Sequence, residues 1–327
     1  MRAMVTFQDI EKAQKTIALY ANATPLKRSK YLSELCSANI YLKLENYQIT
    51  HSFKIRGTLN KLLNLTPQEK AKGIITASAG NHGQAVGFGA KELGFSAKIV
   101  VPTNTPKVKV EAIKRYGVEL VLYGETYTEA EAKAKTLAKQ EGRLYISPYN
   151  DPLIVAGHGT IGLELLRELP ELDAGVVPVG GGGLIAGISI AVKTLKPSAR
   201  VIGVQSIATP IMFESLRAGN IVPPHRHEPA TIAEGLGGGI EAGSITFSIA
   251  QQFVDQVVLV EEETIRKAIY LLYKYDGEVV EGSGAVGAAL LLDNANAFRG
   301  KTVALVVSGG NIDEAVLKKI IEEQQSA

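Results

Sequence analysis

The sequence predicts an α/β fold built on parallel sheet, and three observations carry that prediction. From about Ile40 onward, short β-branched runs alternate with longer amphipathic stretches. Several of the runs are apolar almost throughout, the pattern of parallel strands covered on both faces. The Gly-rich stretches fall directly after strands or before helices, where open α/β sheets collect their ligands.

In chain order, strands are predicted over Ile40–Glu45, Gly73–Ala77, Ala97–Pro102, Glu119–Tyr123, Ala174–Val179, Arg200–Gln205, Gln256–Val260 and Thr302–Val307. Helical stretches lie between them, among them Lys107–Tyr116, Thr128–Gln140 and Glu262–Tyr275. In the last, Ile265, Ala268, Ile269 and Leu272 share one face at helical spacing. A final helix is predicted over Asp313–Gln325. Strands alternating with helices imply right-handed crossovers. No internal repeat, low-complexity segment or charge block interrupts the pattern.

A chain of 327 residues is comfortable for two domains. A formal charge of +2 provides no general field for gathering nucleic acid or anionic lipid, so neither is expected as a partner. A small-molecule site is expected instead. Cys36, the one cysteine, makes no intramolecular disulfide and fits a reducing cytosol. The N-terminus lacks an apolar signal core. The uncharged run from Ala174 to Val192 holds Pro178 and a cluster of glycines, which suit a strand, loop and helix start better than a membrane span. A soluble, cytoplasmic protein is the expectation.

Four segments are candidates for chemistry. Gly180-Gly181-Gly182-Gly183-Leu184 follows a strand and opens an apolar helix. Consecutive glycines let backbone N–H groups approach an anion, and the helix start adds its positive dipole end. A bound phosphate and a tight strand–helix packing turn both fit. Ser78-Ala79-Gly80-Asn81-His82-Gly83 follows a strand and offers N–H donors suited to a carboxylate, or simple N-capping by Ser78 or Asn81. In Ser52-Phe53-Lys54-Ile55-Arg56-Gly57 the apolar flanks of Lys54 favour the neutral, nucleophilic amine needed for a Schiff base, if they desolvate it; the alternative is an ordinary surface lysine. Val307-Ser308-Gly309-Gly310-Asn311 places Ser308 at a sheet's carboxyl edge, as a hydrogen-bonding group or as a helix cap.

Taken in this order, with Val155-Ala156-Gly157, Gly159-Thr160-Ile161-Gly162 and the stretch from Pro178 through Gly187, the motifs resemble the fold type II pyridoxal-phosphate enzymes from about Phe7 to the C-terminal helix. The likeness is closest to the short catabolic threonine/serine dehydratases, with serine racemase a near neighbour. It implies a tryptophan-synthase-β-like fold of two open, twisted, mainly parallel sheets flanked by helices. It also implies a smaller domain at 53–148 inserted in a larger one made of 1–52 and 149–327. Pyridoxal 5'-phosphate would be the cofactor, and the assembly a homodimer or homotetramer. The implied activity is dehydration and deamination of L-threonine or L-serine to 2-oxobutanoate or pyruvate.

Residue by residue, the resemblance makes Lys54 the Schiff-base lysine and the base for the α-proton. Phe53 packs beneath the cofactor ring, Asn81 bonds its phenolic oxygen, and Gly180, Gly181, Gly182, Gly183 and Leu184 hold its phosphate. Gly235 lines the ring's edge and Ser308 faces the pyridine nitrogen. The turn of Ser78, Ala79, Gly80, Asn81 and His82 holds the substrate carboxylate. A hydroxyl facing the ring nitrogen makes the ring a weaker electron sink than a carboxylate partner does, which favours prompt β-elimination.

Racemisation needs a base on each face of the α-carbon. The racemase serine is Ala79 here, so elimination is expected. The racemase group's divalent-ion ligands lie where Gln205-Ser206-Ile207-Ala208-Thr209-Pro210-Ile211 carries no acid, so no metal is expected. Where that group supplies an arginine beside the β-substituent, the charges here are Glu125, Glu129 and Glu131, which argues against 3-hydroxyaspartate as substrate.

The chain departs from the family in three places. His51 stands for a usual glycine, His158 for a common glutamine, and the segment from Gly235 to Gly239 is unusually glycine-rich. The last keeps open a dehydratase of another β-hydroxy amino acid, whether phenylserine, 3-hydroxyaspartate despite the acidic charges noted above, or a hydroxyectoine-derived one. A racemase, a β-replacement enzyme and a non-enzymatic α/β binding protein are the remaining alternatives. Because the sequence ends with the helix after Ser308, a C-terminal regulatory domain with isoleucine feedback is not expected.

Overall fold

The computed structural model describes residues 5–225 and 229–326. Ten strands are present: β1 (Leu26–Arg28), β2 (Asn39–Leu44), β3 (Ile74–Ala77), β4 (Ala97–Val101), β5 (Glu119–Leu122), β6 (Leu144–Tyr145), β7 (Ala174–Pro178), β8 (Arg200–Ser206), β9 (Gln256–Val260) and β10 (Thr302–Val307). They form two sheets, ordered β1-β2-β10-β7-β8-β9 and β5-β4-β3-β6. Every pairing is parallel except β1 with β2. The four-stranded sheet comes wholly from residues 74–145, and the six-stranded sheet from the flanks on both sides.

The eight strands read from the sequence are all there, within one residue of the expected ends. β1 and β6 were not expected. At three and two residues they are too short to carry a periodic signal, and partners already in place define them. The central strands β3, β4, β7 and β10 are buried at every residue, whereas edge strand β5 is buried at none. Burial on both faces is what made the central runs uniformly apolar. The helix expected over Glu262–Tyr275 holds as an α-helix to Leu271 and ends in a five-residue π turn, Leu272–Asp276.

Each sheet reverses its strand order once. In the small sheet β3, β4 and β5 run to one side and β6 returns beside β3; in the large sheet β7, β8 and β9 run to one side and β10 returns beside β7. Such reversal points open a crevice at the strands' carboxyl ends. The loops leaving those four strand ends are 78–80, 146–151, 179–182 and 308–313. Three of them hold Ser78, Ala79, Gly80, Gly180, Gly181, Gly182 and Ser308, and the helices that follow two of them begin with Asn81 and His82 and with Gly183 and Leu184.

The helix Gly183–Leu195, which starts at the glycine loop, is seated by close packing on the helix Pro152–Glu168. A Cβ on Gly187 would stand 2.3 Å from the Val155 carbonyl oxygen and 2.5 Å from the Gly159 nitrogen. Backbone cannot yield as a side chain can. Gly187→Ala is therefore expected to cost about 1–3 kcal/mol, read as a lower urea midpoint at unchanged slope.

Candidate active site

Lys54 is the first residue of the helix Lys54–Leu63. Its position is set from the large sheet. Ser52 and Gly309 form an isolated antiparallel bridge, Phe53 N–H donates to the Ser308 carbonyl at 3.0 Å, and Gly310 N–H donates to that of His51 at 2.9 Å. The segment before the lysine is thus stitched to the loop leaving β10, which brings Lys54 and Ser308 to one place. His51 makes the turn with φ 54°, in the left-handed region that glycine adopts without a steric cost.

The Lys54 ammonium donates to the Pro148 carbonyl at 3.0 Å and lies 5.0 Å from the Phe53 ring centre. It is partly exposed on the cleft wall yet enclosed by protein. Desolvation lowers its pKa from 10.5 to about 8, opposed by the negative charge of Glu281. A lysine so placed is not the ordinary surface residue that the hexapeptide alone allowed.

The 78–82 turn does not cap itself through a side chain. Gly80 is the N-cap of the helix Asn81–Leu93 and makes no side-chain cap. Ser78 Oγ accepts from Gly80 N–H at 3.2 Å. Asn81 looks away from its own helix end: its Nδ2 donates to Glu281 Oε1 at 2.7 Å, and its Oδ1 accepts from Asn311 Nδ2 at 2.7 Å. The capping reading is corrected on this point, and the helix start keeps donors for an anion. Ala79 packs against the Ile99, Val101 and Ile113 cluster of the small sheet. Ser308, buried, does not cap the last helix either; Asp313 accepts from Ala315 and Val316 N–H.

In the glycine loop, Gly182 has φ 86° and is the N-cap of the following helix. None of the N–H groups of Gly180, Gly181, Gly182 or Gly183 donates to another group of the described chain. Packing also demands these glycines. A Cβ on Gly181 would meet the Tyr149 ring at 2.5 Å, and one on Gly180 would stand 3.2 Å from the Gly235 carbonyl oxygen. The packing reading of this loop is thus shown, and its free N–H groups leave it open to an anion. Gly235 N–H is fixed by Ser283 Oγ at 3.0 Å.

Two histidines are buried near Lys54. His82 Nε2 lies 3.3 Å from the Ile146 carbonyl, and desolvation with the Lys54 charge lowers its pKa to about 3. His158 is set edge-on to Phe53, ring centres 4.7 Å apart, and desolvation holds it well below the ordinary histidine range. Both are neutral at working pH.

Glu281 was missed from sequence. It is the N-cap of the helix Gly282–Asn294, without a side-chain cap bond. Desolvation raises it to about 7, against the hydrogen bond from Asn81. A carboxylate at a helix start whose side chain is not committed to the cap was the only trace it left in the sequence.

In the stretch read for metal ligands, Gln205 spans the loop, its Nε2 on the Thr209 carbonyl at 3.1 Å and its Oε1 on Phe213 N–H at 2.8 Å. Among the described residues no group of three or more His, Cys, Asp or Glu side chains is placed to hold a metal ion.

Shared neighbours thus bring a loop of unpaired glycine N–H groups, a desolvated amine and a helix start without a side-chain cap close together. Residues 17–309 match the family described as "Pyridoxal-phosphate dependent enzyme". The chain belongs to that family. Among its relatives, the "L-threonine dehydratase catabolic TdcB" of Escherichia coli is 42% identical over 318 residues, covering 97% of this chain and 96% of the relative. Threonine deaminase isoform 2 of Solanum lycopersicum superposes with a TM-score of 0.92 at 36% identity, covering 98% and 88% of the two chains. Maize serine racemase does so with 0.91 at 32%, covering 99% of each. The two-sheet architecture is that of these fold type II neighbours.

The residues fit the family's cofactor: a cradle of unpaired N–H groups, too close-packed for side chains, suits a phosphate, and a largely desolvated amine suits an aldehyde. Since only neutral Lys54 attacks, capture of pyridoxal phosphate by apoprotein is expected to quicken about tenfold from pH 7 to pH 9. Glu281→Gln removes the charge that raises Lys54, and should move that profile toward lower pH. Stopped-flow absorbance checks both; a rate that falls with pH contradicts the assignment of Lys54.

Proposed function

We propose that this pyridoxal-phosphate enzyme eliminates water and ammonia from L-threonine or L-serine, producing 2-oxobutanoate or pyruvate. The observation that carries the reading is a lowered-pKa lysine beside Ser308 in the same cleft as a substrate turn that offers Ala79 and no second base.

Bound pyridoxal phosphate supplies the electron-withdrawing ring that acidifies the substrate's α-hydrogen. The chain supplies the rest. The N–H groups of residues 180–184 would hold its phosphate, Phe53, itself packed edge-on by His158, would support the ring, Asn81 would serve the phenolic oxygen, Gly235 would border the ring, and Ser308 would face its nitrogen. The 78–82 turn orients the substrate by its carboxylate, and Lys54 Nζ takes the α-proton. With no acid–base group at position 79, a proton has no route back to the opposite face, which favours elimination over racemisation. Residues 53–148 form the smaller domain in this reading, and their closure on the flanks excludes water.

Among the described residues no helix is long and apolar enough to cross a membrane. A net charge of +2 is the ground on which we expect a cytoplasmic enzyme without nucleic-acid or membrane partners. We expect a homodimer or homotetramer, to be measured by sedimentation equilibrium.

The test is detection of 2-oxo acid from L-threonine, L-serine and bulkier β-hydroxy amino acids, with chiral analysis of residual serine. Release of 2-oxobutanoate without D-serine is expected. Turnover of a bulkier substrate alone overturns the substrate, and accumulation of D-serine overturns the reaction.

A further inference from the structure

The carboxamide of Asn81 is held at both ends by groups from the other sheet. Asn81 opens the helix that follows β3 of the four-stranded sheet. Its Oδ1 accepts from Asn311 Nδ2 at 2.7 Å, and its Nδ2 donates to Glu281 Oε1 at 2.7 Å. Asn311 lies in the loop that leaves β10, just beyond Ser308, and Glu281 directly precedes the helix Gly282–Asn294.

Both partners enforce one orientation of that amide. Asn311 Nδ2 carries two N–H groups, one spent on Asn81 and the other on the Thr50 carbonyl at 3.0 Å. Its hold on Thr50 therefore turns a donor toward Asn81. Flipping the Asn81 amide would set its NH2 group against that donor and its oxygen against the Glu281 carboxylate, so that both hydrogen bonds would be lost. The two anchors are themselves fixed. Gly310 N–H, beside Asn311, donates to the His51 carbonyl at 2.9 Å, and Glu281 N–H donates to the Gly309 carbonyl at 3.1 Å. A Cβ on Gly309 would stand 2.5 Å from Glu281 Oε1. The second N–H of Asn81 Nδ2 makes no hydrogen bond among the described residues.

We propose, resting on the placement of Asn81 at the phenolic oxygen of pyridoxal phosphate, that Asn311 is a positioning residue which turns the Asn81 amide so that an N–H, and not its oxygen, meets the phenolic oxygen. That oxygen is ionised in the form of the lysine-bound cofactor that absorbs in the visible, and a hydrogen bond donated to a charged group favours the charged form. An inverted amide would bring a lone pair to the same atom and favour the neutral form, which absorbs in the near ultraviolet. Asn311 acts through Asn81 alone. The same bond seats the start of the small-sheet helix, with the 78–82 turn, against the loop of Ser308.

The experiment reads the ratio of visible to near-ultraviolet absorbance in the holoenzyme, beside the urea midpoint of the apoprotein. Asn311→Leu keeps bulk, removes both donors and adds no charge; it should lower the ratio by about three- to tenfold, the effect of one hydrogen bond. Asn81→Ala should lower the ratio as well. In the Asn81→Ala background, Asn311→Leu should then change it by less than about twofold, because its effect passes through Asn81. A lower urea midpoint with an unaltered ratio for Asn311→Leu is the mark of a purely structural role and overturns the proposal. An undiminished effect of Asn311→Leu in the Asn81→Ala background overturns it too, and both results leave Asn81 at the phenolic oxygen. A ratio that Asn81→Ala does not move overturns that placement and the proposal together. Absorbance does not depend on turnover, so the choice of substrate stands or falls separately.

Discussion

Lys54→Ala is expected to lower turnover by at least about 10⁴-fold and to remove the absorbance band near ~410–420 nm of a lysine-bound cofactor. The same side chain would hold the cofactor and move the proton, and no other amine touches the Phe53–Ser308 junction in the contacts of the described residues. Stability should respond differently. Burial holds the folded pKa near 8 against 10.5 for a free lysine, so the folded state binds fewer protons. Stability from this group therefore rises with pH across that interval, and below it the buried amine is unfavourable. At pH 7 the apo variant should melt no lower than apo wild type apart from lost packing. Turnover retained by Lys54→Ala would place the base elsewhere.

Arg56→Met should be the most destabilising of these substitutions, by about 3–5 kcal/mol in urea denaturation. Arg56 is 1% exposed and lies two residues beyond the lysine. Its Nε donates to Glu45 Oε2 at 2.8 Å and its Nη1 to Glu164 Oε1 at 2.6 Å, while Lys43 reaches Glu164 Oε2 at 2.7 Å. Glu45 follows β2 and Glu164 lies on the helix Pro152–Glu168, so one guanidinium ties the lysine's helix to two elements of the large-sheet side. Removing it leaves Glu164 to Lys43 and leaves buried Glu45 with the Thr24 hydroxyl and no cation. Arg56→Lys should rescue little, because an ammonium cannot serve both carboxylates in the planar fork geometry. Burial pushes Glu164 up, but Arg56 and Lys43 outweigh it and hold it below the usual carboxylate range. Its contribution is therefore present above the unfolded carboxylate pKa and lost as pH falls through the folded one. A loss under about 1 kcal/mol for Arg56→Met would mean that the network is replaceable by packing.

The α/β class, eight of ten strands and the glycine turns were legible in the sequence because each is a local property. A buried parallel strand has to be apolar at consecutive positions, and a backbone that takes φ 86° at Gly182 or meets a Tyr149 ring at 2.5 Å has to be glycine. Lys54, Ser308 and the 78–82 turn could be singled out for the same reason, each lying beside a recognisable strand or helix end.

What tertiary structure decided is which of these ends meet. The two reversals of strand order set the 78–80 and 146–151 loops of one sheet against the 179–182 and 308–313 loops of the other, so that Lys54 finds Pro148 94 residues away and Asn81 finds Glu281 200 residues away. Glu281 left almost no trace in the sequence, since a lone carboxylate reads as surface until the fold encloses it. The pKa of Lys54 belongs to the same class. Its apolar neighbours in sequence suggested desolvation, but the cleft around it provides the desolvation, and a dielectric environment is made by atoms brought together from the whole chain.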